Sequence, residues 1–101
     1  MRHLPVSLQF PDSDGRPEAW GRFLRLAANG GELATTARLN KGDTLRLGFE
    51  VQGERFELAR ADLLTAWRDR DGYFVAEVRF LDEDTRGRLG RALVGLLAER
   101  P

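Results

Sequence analysis

The residues that could carry chemistry in this chain are few and lie far apart. His3 is the only histidine and cysteine is absent, which excludes disulfides, thiol catalysis and thiolate metal sites. The acidic pairs Asp69/Asp71 and Asp82/Asp84 fall at a predicted turn and a predicted helix start, where local structure accounts for them. No nucleophile–histidine–carboxylate set, phosphate-binding loop or dinucleotide-binding glycine motif can be assembled. The sequence therefore predicts a protein that is not an enzyme and needs no metal or cofactor.

Length and composition indicate an ordinary globular protein. With 101 residues, 42% of them hydrophobic, we expect a single domain over residues 1–101 with a modest core. Sixteen basic residues balance sixteen acidic ones, and this neutrality argues against a dedicated nucleic-acid binder. No apolar run is long enough to span a membrane, and the N-terminus lacks the apolar core of a signal peptide, so we expect a cytoplasmic protein.

An amphipathic pattern near the N-terminus predicts a short helix. Pro17 suits a first helical turn, and four apolar residues follow at helical spacing: Trp20, Phe23, Leu24 and Ala27. The pattern stops at Asn29-Gly30-Gly31, where adjacent glycines permit positive φ and a sharp turn. The two aromatic residues of this helix have two interpretations. They belong to the core, or they form a partner-binding face together with the Asn29-Gly30-Gly31 turn, because tryptophan is enriched at interface hot spots.

Strict alternation of apolar residues predicts strands elsewhere in the chain. The alternating sets are Val6, Leu8 and Phe10; Leu45, Leu47, Phe49 and Val51; and Phe74, Ala76, Val78 and Phe80. Tight connections are predicted at residues 52–54 and 69–72 from their glycines.

One extended segment changes phase part-way along. Phe56 and Leu58 are predicted to point inward, whereas Leu63, Thr65 and Trp67 fit the opposite parity. Either a β-bulge near residues 60–62 switches the face, or a short loop divides the segment into two strands. In both cases Trp67 is predicted to be in the core.

A second helix is predicted at the C-terminus. Residues 82–84 are all acidic and supply an N-cap and carboxylates that favour the helix dipole. The predicted apolar face consists of Leu89, Leu93, Leu96 and Leu97. Three glycines lower the intrinsic stability of this helix, so we expect it to depend on tertiary packing.

The order of these features resembles a PilZ domain over nearly the whole chain. The resemblance is carried by Gly30-Gly31 before an extended segment, by the leucine and Gly-Asp pattern of residues 39–47, and by a strand near Trp67 followed by residues 75–80 and a helix. Pro17, Trp20, Phe23 and the glycine pair resemble the subgroup around the type IV pilus protein PilZ. The resemblance implies a mainly β fold: an antiparallel barrel of about six strands, with the short N-terminal helix and the C-terminal helix.

The resemblance also implies a place to look for cyclic di-GMP. PilZ domains bind this nucleotide through an RxxxR motif and a [D/N]xSxxG motif, and no RxxxR occurs in the N-terminal segment. Aligning the last glycine of the second motif with Gly31 puts Leu26 where Asp or Asn belongs and Ala28 where Ser belongs. Since neither side chain offers a polar group, the usual nucleotide site is predicted to be lost.

Three functions follow as expectations. The first is a non-enzymatic adaptor that contacts proteins such as a pilus assembly ATPase or a GGDEF/EAL signalling protein. The second is a cyclic di-GMP receptor that uses displaced arginines, Arg22 and Arg25, beside the glycine pair. The third is a small nucleic-acid-binding barrel, against which the net neutrality counts.

Overall fold

Six antiparallel strands close into a barrel, and one helix packs on it. The computed structural model describes residues 4–13 and 15–98, and side chains up to residue 96. The elements are β1 (Leu4–Gln9), β2 (Ala19–Ala27), β3 (Gly30–Thr35), β4 (Thr44–Val51), β5 (Glu54–Arg68), β6 (Phe74–Phe80) and α1 (Glu83–Ala98). Around the barrel the strands follow the order β1-β2-β3-β6-β5-β4, and β4 pairs with β1 to complete the circle. The predicted mainly β fold, its six-stranded barrel and its C-terminal helix are confirmed.

Strands β4 and β6, whose apolar residues alternate without interruption, contain no bulge of their own. The four apolar residues predicted on β4 are all buried, and those of β6 point into the same core. Between β4 and β5, Gln52 and Gly53 have φ angles of 51° and 74°, the left-handed pair that a two-residue hairpin turn requires. The predicted hairpin at residues 52–54 is therefore confirmed.

The predicted N-terminal helix is wrong, because residues 19–27 form strand β2. The register between β2 and β3 shifts between Phe23 and Arg25, so one extra residue, Leu24, is accommodated there. Phe23 faces the core before this bulge, and Leu26 packs against the core after it. Two inward residues three positions apart imitate a helical period, which explains why the pattern suggested a helix.

Strand β5 is a single strand of 15 residues with two irregularities rather than one. Its pairing with β4 shifts opposite Gly48, and its pairing with β6 shifts between Leu63 and Thr65. The first shift lies at Leu58, before the predicted bulge at residues 60–62. Leu58 is consequently exposed instead of inward, and the interior positions are taken by Phe56, Ala59, Ala61 and Leu63. Trp67 is 44% exposed on the outer surface, so its predicted place in the core is also wrong.

Helix α1 covers one end of the barrel. Leu89 is fully buried among the core residues, as the predicted apolar face requires. Leu96, which was predicted on the same face, is 45% exposed and does not belong to it. Arg86 donates a hydrogen bond to the Phe80 carbonyl oxygen (2.9 Å), and Arg88 forms an ion pair with Glu54. These contacts supply the tertiary packing that a glycine-containing helix needs. Within the described ranges, no helix is long and apolar enough to cross a membrane.

An ion pair joins β5 to the start of this helix. The Arg60 guanidinium donates to both carboxylate oxygens of Asp82, at 2.8 and 3.4 Å. The hydrogen bond from Arg60 holds the pKa of Asp82 below its ordinary value of 3.8. A carboxyl group whose pKa is lower in the folded state stabilises the fold above its ordinary pKa, and this contribution is lost as the pH falls through the lower folded value.

We therefore expect Asp82→Asn to be less stable than the wild type at neutral pH. The difference should shrink below pH 3.8 and disappear at more acidic pH, where the wild-type carboxyl group is also protonated. Urea denaturation at neutral pH and near pH 2 measures it. Arg60→Gln should show the same pH dependence, and the double variant should lose little more than either single one. A difference between wild type and Asp82→Asn that stays constant with pH would contradict this assignment.

Candidate functional site

Trp20 and Phe23 lie on opposite faces of β2. Phe23 is 3% exposed and packs edge-on against Phe49, with ring centroids 5.1 Å apart. Trp20 is 64% exposed on the outer wall of the barrel. The shared aromatic face predicted from helical spacing does not exist in a strand, so only Trp20 is accessible to a partner.

The Gly30-Gly31 pair belongs to strand β3 rather than to a turn. The two-residue connection between β2 and β3 is Ala28-Asn29, and the Asn29 carbonyl oxygen accepts a hydrogen bond from the Phe80 amide (2.9 Å). Neither glycine has a positive φ. A Cβ on Gly30 would lie under 3.0 Å from the Val78 carbonyl oxygen. A Cβ on Gly31 would also lie under 3.0 Å from a backbone atom, the Arg25 carbonyl oxygen. The glycines are therefore needed where neighbouring strands approach closely, and the predicted helix cap is wrong.

The three positions aligned with the nucleotide motif serve the barrel. Leu26 packs against the core and is the register partner of Gly31. The Ala28 side chain lies beside α1, because a Cβ on Gly90 would be 3.6 Å from the Ala28 Cβ. These contacts use apolar atoms, so the side chains at positions 26 and 28 present nothing polar to a nucleotide phosphate.

Arg22 and Arg25 both face outward from β2, but their surroundings differ. Arg25 lies 3.6 Å from the Glu77 carboxylate in an exposed pair. The Arg22 guanidinium lies over the Tyr73 ring, 5.1 Å from its centroid. Its Nε is buried and has no hydrogen-bond partner among the described residues. An unpaired buried donor is costly, which makes Arg22 the unusual member of the pair.

A row of four outward residues, of which Trp20 is the first, runs across the barrel wall. Trp20 pairs with Ser7 on β1, Ser7 pairs with Gly48 on β4, and Gly48 lies opposite the bulge at Leu58 on β5. Two adjoining depressions of about 380 and 240 Å³ share Ser7 and Gly48 as their floor. Trp20 borders the larger depression and Leu58, 49% exposed, borders the smaller one. We call this surface the Trp20 trough.

The backbone beneath the trough is held firmly. The buried Thr35 hydroxyl donates to the Trp20 carbonyl oxygen at 2.8 Å and accepts from the Ala37 amide at 3.2 Å. Gly48 leaves the floor without a side chain at its centre. A larger residue would not fit there, because a Cβ on Gly48 would lie 2.5 Å from Ser7 Oγ. The wall therefore presents a large apolar side chain on a strand, next to space left by two small residues.

Leu58 stands at the rim in an unusual backbone conformation. Its φ angle is 55°, in the left-handed region that bulky residues rarely occupy. The bulge formed by Glu57 and Leu58 opposite Gly48 turns this leucine outward instead of into the core. Outliers of this kind cluster at active sites, ligand clamps and switch regions.

The acidic pairs singled out in the sequence are engaged in structural contacts. Asp69 Oδ1 accepts hydrogen bonds from the amides of Asp71 and Tyr73, both at 2.9 Å, and so closes the β5–β6 connection. Asp82 is held by Arg60. Among residues 4–13 and 15–98, no three potential metal-ligating side chains come together. His3 lies outside the described residues.

No protein-family model matches the chain, and no curated protein is detectably similar to it in sequence.

Proposed function

We propose that this chain is a non-enzymatic adaptor of PilZ-like type that acts by protein–protein contacts through the Trp20 trough. The observation that carries the proposal is the 64% exposure of Trp20 on the barrel wall. Tryptophan is one of the residue types enriched at interface hot spots, and a strand paired on both sides presents it at a small entropic cost. The apolar side chains at positions 26 and 28 support a role in which nucleotide binding has been lost.

The resemblance to the pilus subgroup supplies the partner class. A pilus assembly ATPase or a GGDEF/EAL signalling protein, in the cytoplasm, would take the exposed indole into an apolar pocket. Asn29, Gly30 and Gly31 lie at the opposite end of β2 from Trp20 and hold the β2–β3 hairpin. In this proposal they support the barrel, and Phe23 does the same from inside.

Trp20→Ala is expected to lower recovery of the protein partner about 30-fold or more, as truncation of a hot-spot tryptophan costs at least about 2 kcal/mol. Folding should change by less than about 1 kcal/mol because the side chain is mostly exposed. The measurement is affinity capture from the native host, with quantitative mass spectrometry and a parallel thermal melt.

The matched control is Trp67→Ala, which removes another exposed tryptophan near the end of β5, where it lines neither depression of the trough. It should keep the partner. A folded Trp20→Ala variant that retains every partner, or equal losses from both variants, would rule out the trough as the binding surface.

The unpaired Nε of Arg22 favours a second candidate, a cyclic di-GMP receptor that uses Arg22 and Arg25. Calorimetric titration with cyclic di-GMP separates the two functions. The adaptor proposal expects no binding tighter than about 100 μM, near −5.5 kcal/mol. Low-micromolar binding that disappears in Arg22→Ala/Arg25→Ala would favour the receptor instead.

A further inference from the structure

The Trp20 trough has opposite charges at its two ends. Arg46 and Glu50 both face outward from β4, two residues before and two residues after Gly48. At about 3.3 Å per strand residue, their Cα atoms lie roughly 13 Å apart with Gly48 midway between them. The trough is therefore a dipolar surface whose centre is its glycine floor.

The neighbouring charges preserve this polarity. At the basic end, Arg60 is the register partner of Arg46 but is engaged by Asp82. None of the ion pairs within residues 4–13 and 15–98 involves Arg46. At the acidic end, one guanidinium, that of Arg55, lies 3.7 Å from Glu50 and 3.9 Å from Glu57. The group of two carboxylates and one guanidinium is net negative, and Glu57 within it lines both depressions while Glu50 lines only the one that also contains Trp20.

This polarity restricts what fits the trough. A uniformly acidic or basic partner surface would match one end and meet like charge at the other, and like-charge contacts oppose association. A surface with the reversed polarity and the same spacing matches both ends. The trough itself becomes such a surface when it is turned by 180° about an axis that crosses the strands over Ser7 and Gly48.

We infer that a second copy of this chain docks on the Trp20 trough as a twofold dimer. The axis across the strands brings Arg46 of each copy to Glu50 of the other and sets the two Trp20 indoles against each other, an aromatic pair. An axis along the strands would instead place Arg46 on Arg46. The inference rests on the proposed function, since it names the occupant of the same protein-binding surface.

The size of the trough makes the dimer weak. Three inter-strand spacings of about 4.8 Å separate Trp20 from Leu58 along the curved barrel wall, so the contact measures at most roughly 14 by 13 Å. This is far below the roughly 800 Å² per partner of a stable complex. Association is therefore concentration-dependent, and a tighter-binding foreign partner can displace the second copy.

Sedimentation equilibrium from about 10 μM to 1 mM tests the inference. The average mass of the wild type should rise from that of one chain, 11.4 kDa, toward twice that value. Arg46→Glu should weaken association at least tenfold, because both ends of the dimer then carry like charges. The exchange variant Arg46→Glu/Glu50→Arg restores opposite charges at both ends and should associate within about threefold of the wild type.

The matched control is Arg70→Glu, which makes the same change in net charge in the β5–β6 connection, away from the trough, and should leave association unchanged. Circular dichroism verifies that each variant is folded. A wild type that stays monomeric up to 1 mM, an Arg46→Glu variant that associates as the wild type does, or an exchange variant that fails to recover overturns the inference. If this happens while Trp20→Ala still loses its host partner, the proposed adaptor function stands and only the second copy is excluded.

Discussion

Gly30→Ala is expected to destabilise the barrel by about 2–3 kcal/mol, the upper range for inserting a methyl group into closely packed surroundings. The new Cβ would meet the Val78 carbonyl oxygen and lie 3.1 Å from the Arg79 Cα, and both are backbone atoms of the paired strand β6. A flexible side chain could rotate away, but a paired strand cannot move without breaking its ladder. For a domain of this size the melting temperature should fall by roughly 10–20 °C.

The control for Gly30→Ala is Gly95→Ala in helix α1. A Cβ on Gly95 meets nothing within 4 Å, and alanine is favoured over glycine in a helix interior by about 1 kcal/mol. The two variants should therefore change the melting temperature in opposite directions, as measured by differential scanning calorimetry. A Gly30→Ala variant that melts with or above the wild type would show that the β3–β6 contact is looser than the structure has it.

The same glycine shows how far sequence reasoning reaches here. A glycine pair after an apolar segment is typical of a turn, and no local signal says that the constraint comes from β6, some 48 residues later. Strands β4 and β6 were predictable because their inward and outward residues alternate without interruption. β2 was predicted as a helix, and β5 was predicted as an extended segment with its change of phase at the wrong residues, because bulges shift the side-chain period in both strands.

The candidate site was predictable only in part. Trp20 stands out by residue type, but its exposure depends on β2 being a strand and on the side of the bulge where it lies. Ser7, Gly48 and Leu58 join it through strand pairing across as many as 41 residues, as in the Ser7–Gly48 contact. The four residues lie on four different strands and form no sequence motif. Their proximity can be seen only once the pairing of the strands around the barrel is known.

The largest loss of stability is expected from Phe49→Ala. The Phe49 ring packs edge-on against Phe23, stacks with Phe56 at 4.8 Å and lies 5.8 Å from Phe80, so it joins four strands at the centre of the core. It is 6% exposed, and truncation removes most of the ring contacts that hold β4 to its neighbours. Deleting a buried phenylalanine costs about 3–5 kcal/mol.

That loss is comparable with the whole stability at the lower end for a chain of this length, about 5–15 kcal/mol. Urea denaturation followed by tryptophan fluorescence near 10 °C should give a midpoint reduced by half or more, or a variant already partly unfolded without urea. Phe49→Leu keeps most of the buried volume and should recover at least half of the loss, since volume-conserving substitutions cost under about 1.5 kcal/mol. If Phe49→Ala costs less than about 1 kcal/mol, the aromatic cluster is not what joins β2, β4, β5 and β6, and the rigidity assumed for the wall that carries Trp20 must come from elsewhere.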